Sequence, residues 1–200
     1  MKKSLIVLAV VGVLGVMTVP SIISTRNNLA QQDQNVELSY ARVQIALSRQ
    51  SETLNNMAVV AKKYASHEED TFREVAAARS GLQDVALMKP SDIANNRELQ
   101  KKLVDAQQNV SKAMIAMTSV QEKYPELQAN SNYQIIMNEL EQSQNRIAVE
   151  RRRNQDEVFK FNHLVVAFPT NILAKMVGFG QKPFFQAEES QQHLDLSKSL

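Results

Sequence analysis

Leu5 to Ile23 form a run of 19 residues without a charge, roughly 28 Å as a helix at 1.5 Å per residue and close to the ~30 Å hydrocarbon core of a bilayer. The run predicts a transmembrane anchor over residues 1–25. A cleaved signal peptide is the competing reading, but its apolar region is usually about 7–15 residues and is followed by a small-residue cleavage site. VMTVPSIISTRNN contains no such site. Lys2 and Lys3 precede the run, whereas Arg26 is the only basic residue that follows it before Arg42. The positive-inside rule therefore puts the N-terminus in the cytoplasm and the body on the other side.

Past the anchor the periodicity becomes that of amphipathic helices. Leu29, Val36, Tyr40, Val43, Leu47 and Leu54 form one helical stripe. Met57, Val60, Tyr64, Phe72, Val75, Leu82 and Val85 form a second, interrupted by the polar run Ser66 to Thr71 and ended near Leu87 by Pro90. Between the two stripes a turn is expected at Leu54-Asn55-Asn56; no proline or glycine marks it, and a continuous rod is the other reading. Leu99, Leu103, Ala106, Val110, Ala113, Met117, Val120 and Tyr124 alternate four and three, the strongest heptad in the chain. Ser91-Asp92 supplies its predicted N-cap and Pro125 its stop. The last stripe, Tyr133, Ile136, Leu140, Ile147, Val158, Phe161, Val165 and Phe168, ends at Pro169. Short connections force neighbours to run antiparallel, so residues 26–169 are predicted to be an all-α antiparallel four-helix bundle. No strand-like alternation competes. Met57, Met114, Met117 and Met137 read as core filler. Residues 170–200 divide into a short apolar stretch, Asn171 to Phe179, predicted to cap the bundle, and a mobile polar tail.

Composition narrows the chemistry. Forty-four per cent of the residues are hydrophobic and none is cysteine, which fits a folded chain and excludes disulfides, thiol nucleophiles and Cys-ligated metals. Without Lys2 and Lys3 the 23 basic residues fall to 21, equal to the 21 acidic ones, and a neutral body argues against nucleic acid. Neither a Glu-x-x-His pair nor a second histidine one turn after His67-Glu68 is present, so no metal centre is predicted. Glycines at positions 81, 178 and 180 alone cannot build a phosphate loop. No cofactor and no catalytic residue is assigned. The cluster Arg151-Arg152-Arg153 stands where the heptad calls for core. Since a buried charge needs a partner, Arg151 or Arg152 is expected to cross to Glu68 or Glu122.

Several strings carry a resemblance: Tyr64-Ala65-Ser66-His67-Glu68, Ala78-Arg79, Glu122-Lys123-Tyr124-Pro125-Glu126-Leu127, Asn145-Arg146-Ile147-Ala148, Arg151-Arg152, Phe161-Asn162 and Phe168-Pro169-Thr170-Asn171. In order and spacing the chain resembles the LemA family. The resemblance implies a membrane helix carrying a four-helix bundle in the bacterial cell envelope, with no established enzymatic activity. Departures from the family pattern include Asn154-Gln155 for a Tyr-Asn pair and Leu54-Asn55-Asn56 for Ile-Pro-Asn. The leading functional expectation is a non-enzymatic protein held in the inner membrane through Leu5 to Ile23, whose partners are other envelope proteins or itself. The alternative is a ligand-binding bundle with a pocket lined by Tyr64, His67, Arg79 and Arg151. Candidate contact residues are Tyr64, His67, Glu68, Arg79, Tyr124, Arg151 and Arg152.

Overall fold

A computed structural model describes the backbone from Lys2 to Phe185 and the side chains from Pro20 to Phe185. Every regular element within it is a helix. Helix α1, Lys2–Ala61, is unbroken over 60 residues. The predicted anchor overlies its first two fifths, where the side chains before Pro20 lie outside the described residues, as does the predicted polar tail after Phe185. Among the described residues no helix is long and apolar enough to cross a membrane.

The turn expected at Leu54-Asn55-Asn56 does not occur. Leu54, Met57 and Ala61 prolong the face already formed by Leu29, Val36, Tyr40, Val43 and Leu47, and all of them are fully buried. Two asparagines cost little in helix propensity, whereas ending the helix there would expose that face. The chain turns instead at Lys62 to Glu68, just where the polar run begins, with Ala65 N–H returning to Ala61 O at 3.0 Å. Helix α2, Glu69–Ala86, starts with Glu69 and Asp70, which suit the positive end of its dipole.

A second correction concerns the next N-terminus. Pro90 does not merely stop α2; it opens a short helix, α3, Pro90–Asn95, where a missing N–H is harmless. Helix α4, Arg97–Lys123, is then capped by Asn96, not by Ser91-Asp92. The Asn96 side-chain oxygen accepts from Glu98 N–H at 2.9 Å and from Leu99 N–H at 3.4 Å. Pro125 opens a single turn, α5, Pro125–Gln128. Asn130 caps α6, Ser131–Val166, by accepting from Tyr133 N–H. Helix α7, Thr170–Met176, closes at Gly178, whose φ of 82° disfavours a side chain and lets Phe179 N–H reach Ala174 O at 2.9 Å.

The four long helices α1, α2, α4 and α6 make the expected antiparallel bundle. Helix α1 packs on α6 and α2, and α2 packs on α4. Helices α4 and α6 meet through side chains, Tyr133 OH donating to Met117 O at 3.3 Å. The core is mostly apolar, and a seam of buried polar residues runs along α1. Asn154 Nδ2 donates to Ser39 Oγ at 2.7 Å. Gln50 Nε2 donates to Ser143 Oγ at 3.1 Å while its Oε1 accepts from Gln107 Nε2 at 2.9 Å. Thus Ser143 and Asn154 of α6 face polar residues of α1. Ser39 and Gln50 are eleven apart, as are Ser143 and Asn154, which sets the antiparallel register of α1 against α6.

Candidate functional site

The sequence-predicted residues fall at three separate heights of the bundle. At the end remote from the apolar N-terminus, the α1–α2 connection is tied to the α4–α6 connection. Asn130 Nδ2 donates to Tyr64 OH at 2.9 Å, and Glu68 Oε1 accepts from Tyr124 OH at 3.3 Å and from Lys123 Nζ at 3.5 Å. Tyr64, Glu68 and Tyr124 are half-buried, and His67 beside them is exposed. This cluster joins loops through hydrogen bonds among its own side chains.

Arg79 stands lower on α2, where Ser51 Oγ donates to its carbonyl at 3.5 Å. It lines a polar crevice of about 250 Å³ with Ser51, Glu52, Asn55, Asn56 and Gln83, and its Nε is buried without a partner. From Ser51 to Tyr64 is 13 residues of α1 and the turn after it, roughly 20 Å at helical rise. Arg79 therefore does not share a pocket with Tyr64 or His67.

Arg151 belongs to the opposite end. Its guanidinium carbon lies 5.2 Å from the centre of the Phe185 ring. From Asn130, which holds Tyr64, to Arg151 is roughly 30 Å along α6, so neither Arg151 nor Arg152 reaches Glu68 or Glu122. The local positive charge is met within the helix: Arg153 Nη1 pairs with Glu150 Oε1 at 2.7 Å, and Arg152 is exposed. The four-residue pocket of Tyr64, His67, Arg79 and Arg151 is consequently not formed.

What the sequence did not reveal is the strap that follows α7. Residues 177–185 run back along the bundle and close its lower end. Lys182, with 4% of its side chain exposed, pairs with Asp33 Oδ1 at 2.7 Å and donates to Asn95 Oδ1 at 2.9 Å. Its Nζ also sits 5.2 Å over the Phe161 ring. Asn162 clamps the strap backbone, accepting from Lys182 N–H at 2.7 Å and donating to Lys182 O at 2.8 Å. Further on, Gln100 Nε2 donates to Tyr40 OH at 2.7 Å and to Pro183 O at 3.2 Å. Phe185 is buried on Tyr40, ring centres 5.3 Å apart. Burial raises the Tyr40 hydroxyl far above the usual phenol range and pushes that of Tyr133 up to about 12. A polar asparagine at a core position of α6 was the one available signal for this clamp.

Between the strap and α6 lies a groove of about 550 Å³, lined by the apolar Phe159, Val166 and Phe184 together with Arg97 and His163. That combination suits an amphipathic anion. Among the described residues no group of three or more His, Asp or Glu is placed to hold a metal ion. No curated protein matches the sequence. The sequence profile of the LemA family matches residues 39–196, which spans α1 from its polar seam onward, the whole of the remaining bundle and the strap. On that match over most of its length, the chain belongs to the LemA family.

Proposed function

We propose that the chain is a membrane-tethered, non-enzymatic interaction protein of the bacterial cell envelope. Leu5 to Ile23 would hold it in the inner membrane, with the N-terminus cytoplasmic and the bundle outside, where its helical faces engage another envelope protein or a second copy. The observation that carries this reading is the continuity of α1. The uncharged run and the longest helix of the bundle are one 60-residue element, so no linker would separate the bundle from the proposed anchor. Family membership supports the architecture; the orientation rests on Lys2 and Lys3. The test is protease accessibility of a C-terminal epitope in cells. Digestion once the outer envelope alone is opened is the expected result. Protection until the inner membrane is lysed would reverse the orientation and direct the search to cytoplasmic partners.

The groove beside the strap favours a second reading, binding of an amphipathic anion. A ligand selective for the native state adds about 2.7 kcal/mol of stability at 100 times its dissociation constant. A melting temperature unmoved by fatty acids and lysophospholipids would remove this reading.

A further inference from the structure

We propose that the lower end of the bundle is itself a lipid-binding surface, seated by Phe168, Ile172 and Met176 in the bilayer that holds α1. The inference rests on the anchoring reading and adds a second contact to it. The register of α1 on α6 sets the height: fourteen residues beyond Asn154 is Phe168, and fourteen before Ser39 is Thr25. Phe168 is therefore level with a residue two positions past Ile23, roughly 3 Å from the end of the uncharged run. It is 81% exposed in the connection before α7, and Ile172 and Met176, four residues apart on one face of α7, are 55% and 78% exposed. Ala174 of the same helix is fully buried, so α7 packs one side on the bundle and turns an apolar stripe away from it.

Charge points to the same occupant. No acidic residue occurs from Met1 to Gln32, or from Val158 to Ala187, in a chain with 21 of them. Every residue on α6, α7 and α1 near this end is thus neutral or basic. Arg26 and Lys175 are exposed there and suit lipid phosphates, as on an interfacial amphipathic helix. A protein partner would not have to lie at this height; the bilayer must.

The chain has no tryptophan, so Phe168→Trp and Met176→Trp each give a single fluorescent reporter at a position exposed enough to tolerate it. Leu87→Trp is the internal control. Leu87 is 85% exposed beside Gln44, which donates to Val85 O and Met88 O, roughly 30 Å above Ile23. The full-length variants are reconstituted in phosphatidylcholine–phosphatidylglycerol vesicles and checked for native helicity by circular dichroism. The proposal expects the chain to float with the vesicles and the indoles of Phe168→Trp and Met176→Trp to emit to the blue. It also expects lipids brominated high on the acyl chain to quench both and to leave the Leu87→Trp control unaffected. Flotation of the Phe168→Trp variant with its indole neither shifted nor quenched overturns the docking and leaves the anchor intact. A blue-shifted but unquenched indole at position 168 assigns the stripe to a protein contact and overturns the lipid proposal. Quenching of the Leu87→Trp control as well means a bundle lying flat, which also overturns it. A chain that does not float overturns the anchoring reading and this one with it.

Discussion

Lys182→Met, set against Asp33→Asn, tests whether the strap is held by its charged clamp. Methionine keeps most of the aliphatic stem of Lys182 and removes the Nζ contacts to Asp33 at 2.7 Å and Asn95 at 2.9 Å. Removing one member of a fully buried pair costs about 3–5 kcal/mol, because the other charge is left without a partner. Asp33 retains 27% side-chain exposure and so regains some hydration, which brings the expected cost of Lys182→Met to about 2–3 kcal/mol. Asp33→Asn strands a cation that is only 4% exposed, and about 3–4 kcal/mol is expected. The double variant should cost less than the sum, with a coupling energy of about 2 kcal/mol. Urea unfolding of the full chain in mild detergent supplies the four free energies. Moderate salt should change the coupling little, since so buried a pair is poorly screened. Hydrogen exchange supplies the location: the single variants should deprotect residues 177–185 before the rest of the bundle. Single-variant costs that add within about 0.5 kcal/mol would show that the two residues do not act on each other and would refute the clamp.

Alkaline pH probes the buried phenols. Tyr133 rises from 10.0 to about 12 because its hydroxyl is buried in neutral form, so its contribution is complete below pH 10 and is lost as pH climbs through 12. At 1.36 kcal/mol per pH unit the loss is at most about 3 kcal/mol, read as a falling urea midpoint between about pH 9 and 12. Tyr133→Phe should remove its own share of that fall and leave the share of Tyr40, which burial raises further and which loses stability over the same range; an unchanged slope would place the sensitivity elsewhere. Asn56→Pro probes the continuity of α1 at an exposed position where the side chain itself contributes little. Within a helix it removes a backbone bond and clashes with the preceding turn, at about 3 kcal/mol or more; a variant as stable as the parent would reinstate a turn there.

How much of this was legible depends on the length over which a signal repeats. The heptad of α4 runs through eight positions to Tyr124 and is bounded by Pro125, and the structure follows it to Lys123. The end of α2 before Pro90 was equally readable. The missed features are single residues whose meaning is tertiary. A turn is expected at Leu54-Asn55-Asn56, between the first two stripes, yet Leu54, Met57 and Ala61 keep the core face alive through it. Asn96 outcompeted Ser91-Asp92 as a cap because Pro90 had already started a helix of its own. Lys182 lies in a stretch with neither helical nor strand period, so nothing local shows that Asp33, 149 positions earlier, is opposite it. The candidate pocket failed for the same reason. Tyr64, Arg79 and Arg151 are distinctive as residues, but their heights, one in the α1–α2 connection and two on α2 and α6, are fixed only by packing.

The polar seam explains why those heights are well defined. Heptad stripes on α1 and α6 would tolerate a slip of seven residues, since apolar side chains would again meet apolar side chains. Such a slip would separate Asn154 from Ser39 and Ser143 from Gln50 in one step, depriving the buried amides of Asn154 and Gln50 of these partners at about 1–3 kcal/mol each, while the two serine hydroxyls keep their bonds to Val36 O and Leu140 O. The seam need not add stability over an all-apolar core, and Asn154 Oδ1 is itself unpartnered. Its physical effect is discrimination between registers, the role best attested for buried polar groups in helical assemblies. Register then carries outward: it puts Asn162 of α6 where it can clamp Lys182 beside Asp33, and it puts Phe168 level with Thr25. A slip of one heptad would move Phe168 by roughly 10 Å along α1, enough to lift the apolar stripe of α7 out of a bilayer surface or to drive it into the hydrocarbon. On the proposed docking, the depth of the lower surface would thus be set by two hydrogen-bonded contacts in the core, roughly 20 Å and more above it.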